Sequence, residues 1–162
     1  ALLFAGKWGA VNNAYLNAPV STEQVLHPEK YLEGEMPVMV SLPNVAANLG
    51  QGWEVLYDDV MGEFFLRTYL ETRTRADLAS RAAAGWGGDG FNLMEGPQGE
   101  RALVVILAWD SRRDAQEFFD VLNSSKIAPG KEYLAIREDR VLWVLSNSTT
   151  NTGEVACRIR GF

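Results

Sequence analysis

The sequence predicts an α+β protein: an N-terminal helical portion, then a mostly antiparallel sheet of about four strands, ordered β-β-α-β-β and covered by helix. Three observations carry this reading. Apolar residues at 60, 61, 64, 65, 66, 69 and 70 describe one broad helical face. Ala102 to Trp109 is a near-continuous apolar run, the pattern of a strand buried on both sides. Around it, Gly96-Pro97-Gln98-Gly99 follows a strand over Phe91 to Glu95, and Glu138-Asp139-Arg140 joins strands over Glu132 to Arg137 and Val141 to Leu145.

Leu2, Leu3, Trp8, Val11 and Leu16 recur at near-helical spacing, and Ala18-Pro19 is the stop signal for a helix over 2–17. That helix has no capping residue before Ala1-Leu2-Leu3-Phe4, so the expectation is a helix entered part-way, with residues upstream removed or carried by another chain. Ser21-Thr22-Glu23-Gln24 is a capping box: Ser21 accepts from the Gln24 amide while the Gln24 side chain reaches back. It opens a short helix ended by His27-Pro28. Residues 29–36 read as a charged connection, Pro37 to Leu42 as an extended run closed by Pro43, and Asn44 to Gly52 as a loop. Trp53 to Tyr57 alternates weakly, as a short strand does. The face over 60–70 pairs with a second helix from Arg75 to Ala84, stopped by Gly85. Asp110 or Ser111 caps a helix reaching Leu122, with Asp114 at its third position. The polar tail from Ser146 folds back as a short helix near Val155. The chain divides into a helical portion over 1–84, the C-terminal remainder of a longer region, and a sheet with one covering helix over 85–162, forming one compact unit.

With 15 Lys and Arg against 21 Asp and Glu, the net charge is −6, which gives no cationic footprint for nucleic acid or an anionic membrane. No apolar run approaches the roughly 20 residues that cross a bilayer, and no secretory leader is read in the sequence. Cys157 is the only cysteine, so no intrachain disulfide forms. It lies beside Arg158 and Arg160 with no histidine base nearby, and is expected to be buried and inert.

No catalytic, cofactor-binding or metal site is expected within this chain alone. Glu23 and His27 stand four apart and are the weak metal candidates, but two ligands fall short of the three or four that zinc takes. A lone histidine also excludes a self-contained catalytic triad or His-rich centre. Asp58, Asp59 and Glu63 cluster where a helix begins, which favours complementing the helix dipole over acid-base chemistry. Glu63, ahead of Phe64-Phe65, is the member expected to be buried and paired with Arg67 or Arg81. The run Gly85 to Gly90 has the composition of a phosphate loop but the order helix, loop, strand, so its glycines suit a helix C-cap and tight turn. Asp89 would then bond the turn and Trp86 plug the junction between helices and sheet. Ser21, Gln24, Glu63, Trp86 and Asp89 are therefore structural motif residues.

Several blocks together resemble one family: Trp8-Gly9-Ala10-Val11-Asn12-Asn13-Ala14-Tyr15, the run from Pro19 through Ser21-Thr22-Glu23-Gln24 to Tyr31, Met61-Gly62-Glu63, and Ala83-Ala84-Gly85-Trp86-Gly87-Gly88-Asp89. They look like the C-terminal region of uncharacterised exported proteins of bacteria such as the Chloroflexota and of haloarchaea. Longer members carry upstream a zincin-like H-E-x-x-H helix. The resemblance implies an exported or cell-envelope location and a non-catalytic scaffold or partner-binding role, the partner being the chain's own upstream segment or another protein. The alternative it implies is that this part completes the active site of a zinc-dependent peptidase-like hydrolase, with zinc held only together with that segment. The H-E-x-x-H helix is absent from this sequence, and Gly90 stands where the family pattern has a basic residue. A third reading makes the sheet a ligand-holding surface, supported if an apolar groove runs over Trp86, Trp109 and Trp143.

Overall fold

The computed structural model describes residues 2–125, 131–147 and 152–159. Ala1, Arg160 and positions 148–151 of the polar tail, used in the sequence reading, lie outside these residues. The architecture is α+β. A five-stranded antiparallel sheet has the order β1-β2-β3-β5-β4, from β1 (Glu54–Asp59), β2 (Trp86–Glu95), β3 (Arg101–Trp109), β4 (Glu132–Arg137) and β5 (Arg140–Ser146). The short connections 96–100 and 138–139 make neighbours of consecutive strands, as hairpins do.

The sheet carries one strand beyond the about four expected. The weakly alternating run near Trp53 joins the same sheet as edge strand β1, so the sheet draws a strand from before residue 84. Its pattern is faint because all six of its residues are exposed, which leaves burial nothing to alternate. Gly85 to Gly90 is also not a loop: Gly85, at φ 82°, ends the preceding helix, but β2 already begins at Trp86.

Both faces of the sheet are covered, not one. On the first lie α5 (Gly62–Glu71), α6 (Ala76–Ala83) and α7 (Arg112–Ser124), whose Leu66, Leu70, Ala82, Phe118 and Leu122 pack with Trp86, Leu107, Trp109 and Trp143. On the second, α4 (Val45–Leu49), α8 (Thr152–Cys157) and Ile159 meet Met94, Val104, Ile106, Leu142 and Val144. β3 sends Val105 and Leu107 to the first core and Val104 and Ile106 to the second, the period of two that makes its sequence apolar throughout. Each fully buried Leu or Val contributes about 1.5–3 kcal/mol, so these two cores carry the stability.

α1 (Leu2–Leu16) breaks at Gly6 and Lys7 and buries none of its residues. α2 (Thr22–Leu26) is capped by Ser21, whose side chain accepts from the Gln24 amide. α3 (Pro28–Glu33) corrects the reading of 29–36 as a connection. His27-Pro28 ends one helix and starts the next, because proline fits the first helical position, and Gly34 closes α3 with φ 71°. α4 likewise occupies the stretch taken as a loop, capped by Asn44.

From Pro37 to Leu42 the chain runs as an extended strap across β2. The Val38 amide donates to the Gly87 carbonyl at 2.6 Å. A Cβ on Gly88 would overlap the Val38 carbonyl oxygen, and one on Gly90 would come within 2.7 Å of the Val40 carbonyl oxygen. The glycines admit a second backbone to the sheet face, which is why no basic side chain stands at Gly90.

Candidate functional site

Where α2, α3, the strap, α5 and the start of β2 meet, the structure gathers most of the residues singled out in the sequence. Asp89, between two strap-facing glycines, projects to the opposite face and is buried. Its Oδ1 accepts from the Met61 amide at 2.7 Å, and its Oδ2 accepts from the Gly62 amide and the Trp86 indole at 2.8 Å each. Asp89 thus anchors the first turn of α5 rather than a turn of its own. Burial pushes its carboxyl above the ordinary aspartate range, against the pull of these three donors. Trp86 is buried in the helix-facing core.

Glu63 is buried in the first turn of α5, but its partner is neither Arg67 nor Arg81. His27 Nε2 lies 2.9 Å from Glu63 Oε1, linking α5 to the junction of α2 and α3. Glu63 Oε2 is buried with no hydrogen-bond partner among the described residues. Burial raises this carboxyl, while His27, Lys30 and Arg67 act to lower it. Asp58 and Asp59 belong to β1, so the helix-dipole reading does not apply to them; Asp59 Oδ1 accepts from the Val60 amide at 2.8 Å.

Glu23 and His27 do not converge on one point. Glu23 is buried against Lys30, whose ammonium donates to Glu23 Oε1 at 2.6 Å, Glu35 Oε1 at 2.8 Å and Asp110 Oδ2 at 2.5 Å. The three carboxylate oxygens lie within 4.8 Å of one another, with Lys30 bonded to all. Burial raises the Glu23 carboxyl; burial alone would lower Lys30, but the three carboxylates more than offset it and hold the ammonium above the ordinary lysine range. Gln24 completes the junction: its side chain accepts from the Val20 amide at 2.9 Å and donates to the Glu35 carbonyl at 2.6 Å.

Sequence reasoning missed Lys30, Glu35 and Asp110. A signal was present: Lys30 is the last Lys or Arg before Arg67, and a lone cation among acids has work to do. Cys157 is exposed, not buried, because it closes α8 on the side away from Val155 and Ala156. Trp86, Trp109 and Trp143 are all buried, and among the described residues no hollow runs over all three, which was the condition for the ligand-holding sheet; Trp143 donates to Glu132 at 2.8 Å inside the core.

The exposed apolar surface lies elsewhere. Phe4 (94% exposed) and Trp8 on α1, Met39 (92%) on the strap, Tyr57 (64%) on β1, and Val60, Phe64 and Phe65 at α5 all face outward. Val20, Val38, Met39 and Val60 line a hollow of about 370 Å³ floored by Trp86 and Asp89. A second hollow, of about 610 Å³, adjoins β1 between Leu42, Asn44, Asp58, Asp59, Phe91 and Asn92.

Against known families, residues 52–161 match DUF8575, a domain of unknown function. The chain belongs to the DUF8575 family. No curated protein and no solved structure matches it. The DUF8575 match spans all five strands and α5 to α8, and leaves α1 to α4 and the strap outside. The polar junction therefore crosses its boundary: Asp89, Glu63 and Asp110 lie inside DUF8575, and His27, Glu23, Lys30 and Glu35 before it. Among the described residues no helix is long and apolar enough to cross a membrane.

Proposed function

We propose that this chain is a non-catalytic scaffold that binds a protein partner, as the C-terminal part of an exported, zincin-like protein. The observation that carries the binding role is the exposed apolar surface of α1, the strap, β1 and the start of α5, including Phe4, Trp8, Met39, Tyr57 and Phe64. Val20, Met39 and Val60 line one hollow and Val40, Val55 and Val60 the next, so the strap, β1 and the approach to α5 share an apolar surface of the kind that marks interaction sites. The polar groups behind that surface are engaged: Asp89 holds three donors, His27 faces Glu63, and Lys30 bridges three carboxylates. They fix the position of α2, α3 and α5, which is a scaffold's task. Export and the zincin relationship rest on the resemblance of the Trp8–Tyr15, Pro19–Tyr31, Met61–Glu63 and Ala83–Asp89 blocks, and the partner on that ground is the chain's own upstream segment or a separate protein.

One observation favours the alternative, completion of a zinc-dependent hydrolase site with an upstream segment. Glu23, Glu35 and Asp110 bring three carboxylate oxygens together. Against it, oxygen-only donors suit magnesium or calcium better than zinc, and the Lys30 ammonium already neutralises the group.

The deciding experiment isolates the protein from its native source and measures intact mass, metal content and hydrogen exchange over 36–65, beside the isolated chain. The scaffold reading expects slower exchange over 36–65 in the native assembly and no stoichiometric metal. Unchanged exchange overturns the binding role, and stoichiometric zinc with peptidase activity replaces it by the hydrolase reading.

A further inference from the structure

Of the two edge strands of the sheet, β4 and β1, only β1 is exposed along its whole length. It pairs with β2 on one side and is terminal in the strand order, with all six residues exposed. An edge strand offers a row of backbone donors and acceptors that another extended chain can extend. Its side chains narrow the choice of that chain. Glu54, Asp58 and Asp59 lie on β1, and the whole stretch 31–66 holds six acidic residues (Glu33, Glu35, Glu54, Asp58, Asp59, Glu63) and no Lys or Arg. Between these acids stand Val55, Leu56 and Tyr57, exposed by 41%, 43% and 64%. Asp58 and Asp59 also line the hollow of about 610 Å³ beside the strand.

A second copy of this chain fits the edge poorly. Antiparallel self-pairing centred between Leu56 and Tyr57 would set Glu54 against Asp59 twice, and like charges directly opposite are destabilising.

We propose that β1 is the docking edge for an extended peptide segment that alternates apolar and cationic residues, added to the sheet as a sixth strand. Backbone pairing holds the segment; its cationic face meets Glu54 and Asp59, which the register puts on one face with Tyr57, and its apolar face meets Val55. This inference rests on the partner-binding reading and specifies the partner's chemistry.

The test titrates the full chain with a blocked, fluorescein-labelled octapeptide alternating lysine and valine, read by anisotropy, with hydrogen exchange on the complex. A glutamate–valine octapeptide and the variant Glu54→Lys/Asp59→Lys are compared alongside; both positions are exposed, and an unchanged Tm verifies folding. Expected are slowed exchange over 54–59, weakening of about tenfold or more between 0.05 and 0.5 M salt on the unaltered chain, and comparable loss in the variant. Equal binding of the glutamate–valine peptide, or protection absent from 54–59, overturns the proposal. So does dimerisation of the chain through β1, seen in sedimentation and abolished by the variant, since the occupant is then a second copy. If the peptide fails while the native assembly still protects 36–65, only this inference falls and the scaffold reading stands.

Discussion

Asp89→Ala removes one carboxylate from the place where sheet, strap and α5 meet. The Gly62 amide and the Trp86 indole are buried donors that both use Oδ2, and the partly buried Met61 amide uses Oδ1. An orphaned buried donor loses about 1–3 kcal/mol. Removing a buried carboxylate, whose pKa is already raised by burial, also relieves its desolvation and offsets part of that loss. The expected net loss is about 3–5 kcal/mol, a large share of the roughly 5–15 kcal/mol that holds a domain folded. Asp89→Asn should be milder. An amide oxygen in the place of Oδ2 keeps two donors, and the amide nitrogen meets the Met61 N–H, for a loss of about 1–2 kcal/mol. Urea unfolding followed by tryptophan fluorescence gives both values, and the slope checks that the two-state comparison holds. If Asp89→Ala lowers stability by less than about 1 kcal/mol, or Asn is as damaging as Ala, the account of Asp89 as the anchor of α5 is wrong; the Asn variant gives a reading even if the Ala variant does not fold.

Gly88→Ala forces its Cβ into the Val38 carbonyl and should free the strap, with faster amide exchange at Val38 than in the parent chain. Lys30→Met leaves the buried Glu23 beside two further carboxylates without a cation and should lower stability by about 3 kcal/mol, with Lys30→Met/Glu23→Gln recovering part of it in thermal melts. The Glu63 carboxyl has its folded pKa raised above 4.5 by burial, so the folded chain holds that proton more tightly than the unfolded one. Stability from this group therefore falls as pH rises above the ordinary glutamate value, and the parent should lose ground to Glu63→Gln as the pH is raised from about 4.5. Cys157, the sole cysteine and exposed, should react with a thiol reagent in the native state at the rate of the unfolded chain within about tenfold, rather than only after unfolding.

Local patterns were enough for much of this protein. The helix within 60–70, the capping box at Ser21, the hairpin around Gly96 to Gly99 and the apolar run of β3 are each decided by neighbours within a few residues and each appears in the α+β fold, although Val60, Phe64 and Phe65 of the expected apolar face point to solvent. So does the burial of Glu63 ahead of Phe64-Phe65. What the sequence left undecided is what depends on contacts between distant segments. β1 alternates only weakly because it is an exposed edge, and its membership of the sheet comes from pairing with β2. Gly88 and Gly90 look like loop glycines until the strap from Pro37 to Leu42 lies across them. Lys30 meets Asp110 across 80 positions of chain, and His27 meets Glu63 across 36. No local spacing encodes such pairs, because a buried charge finds its counter-charge in space, and only the packing of α2, α3 and α5 on the sheet brings them within reach.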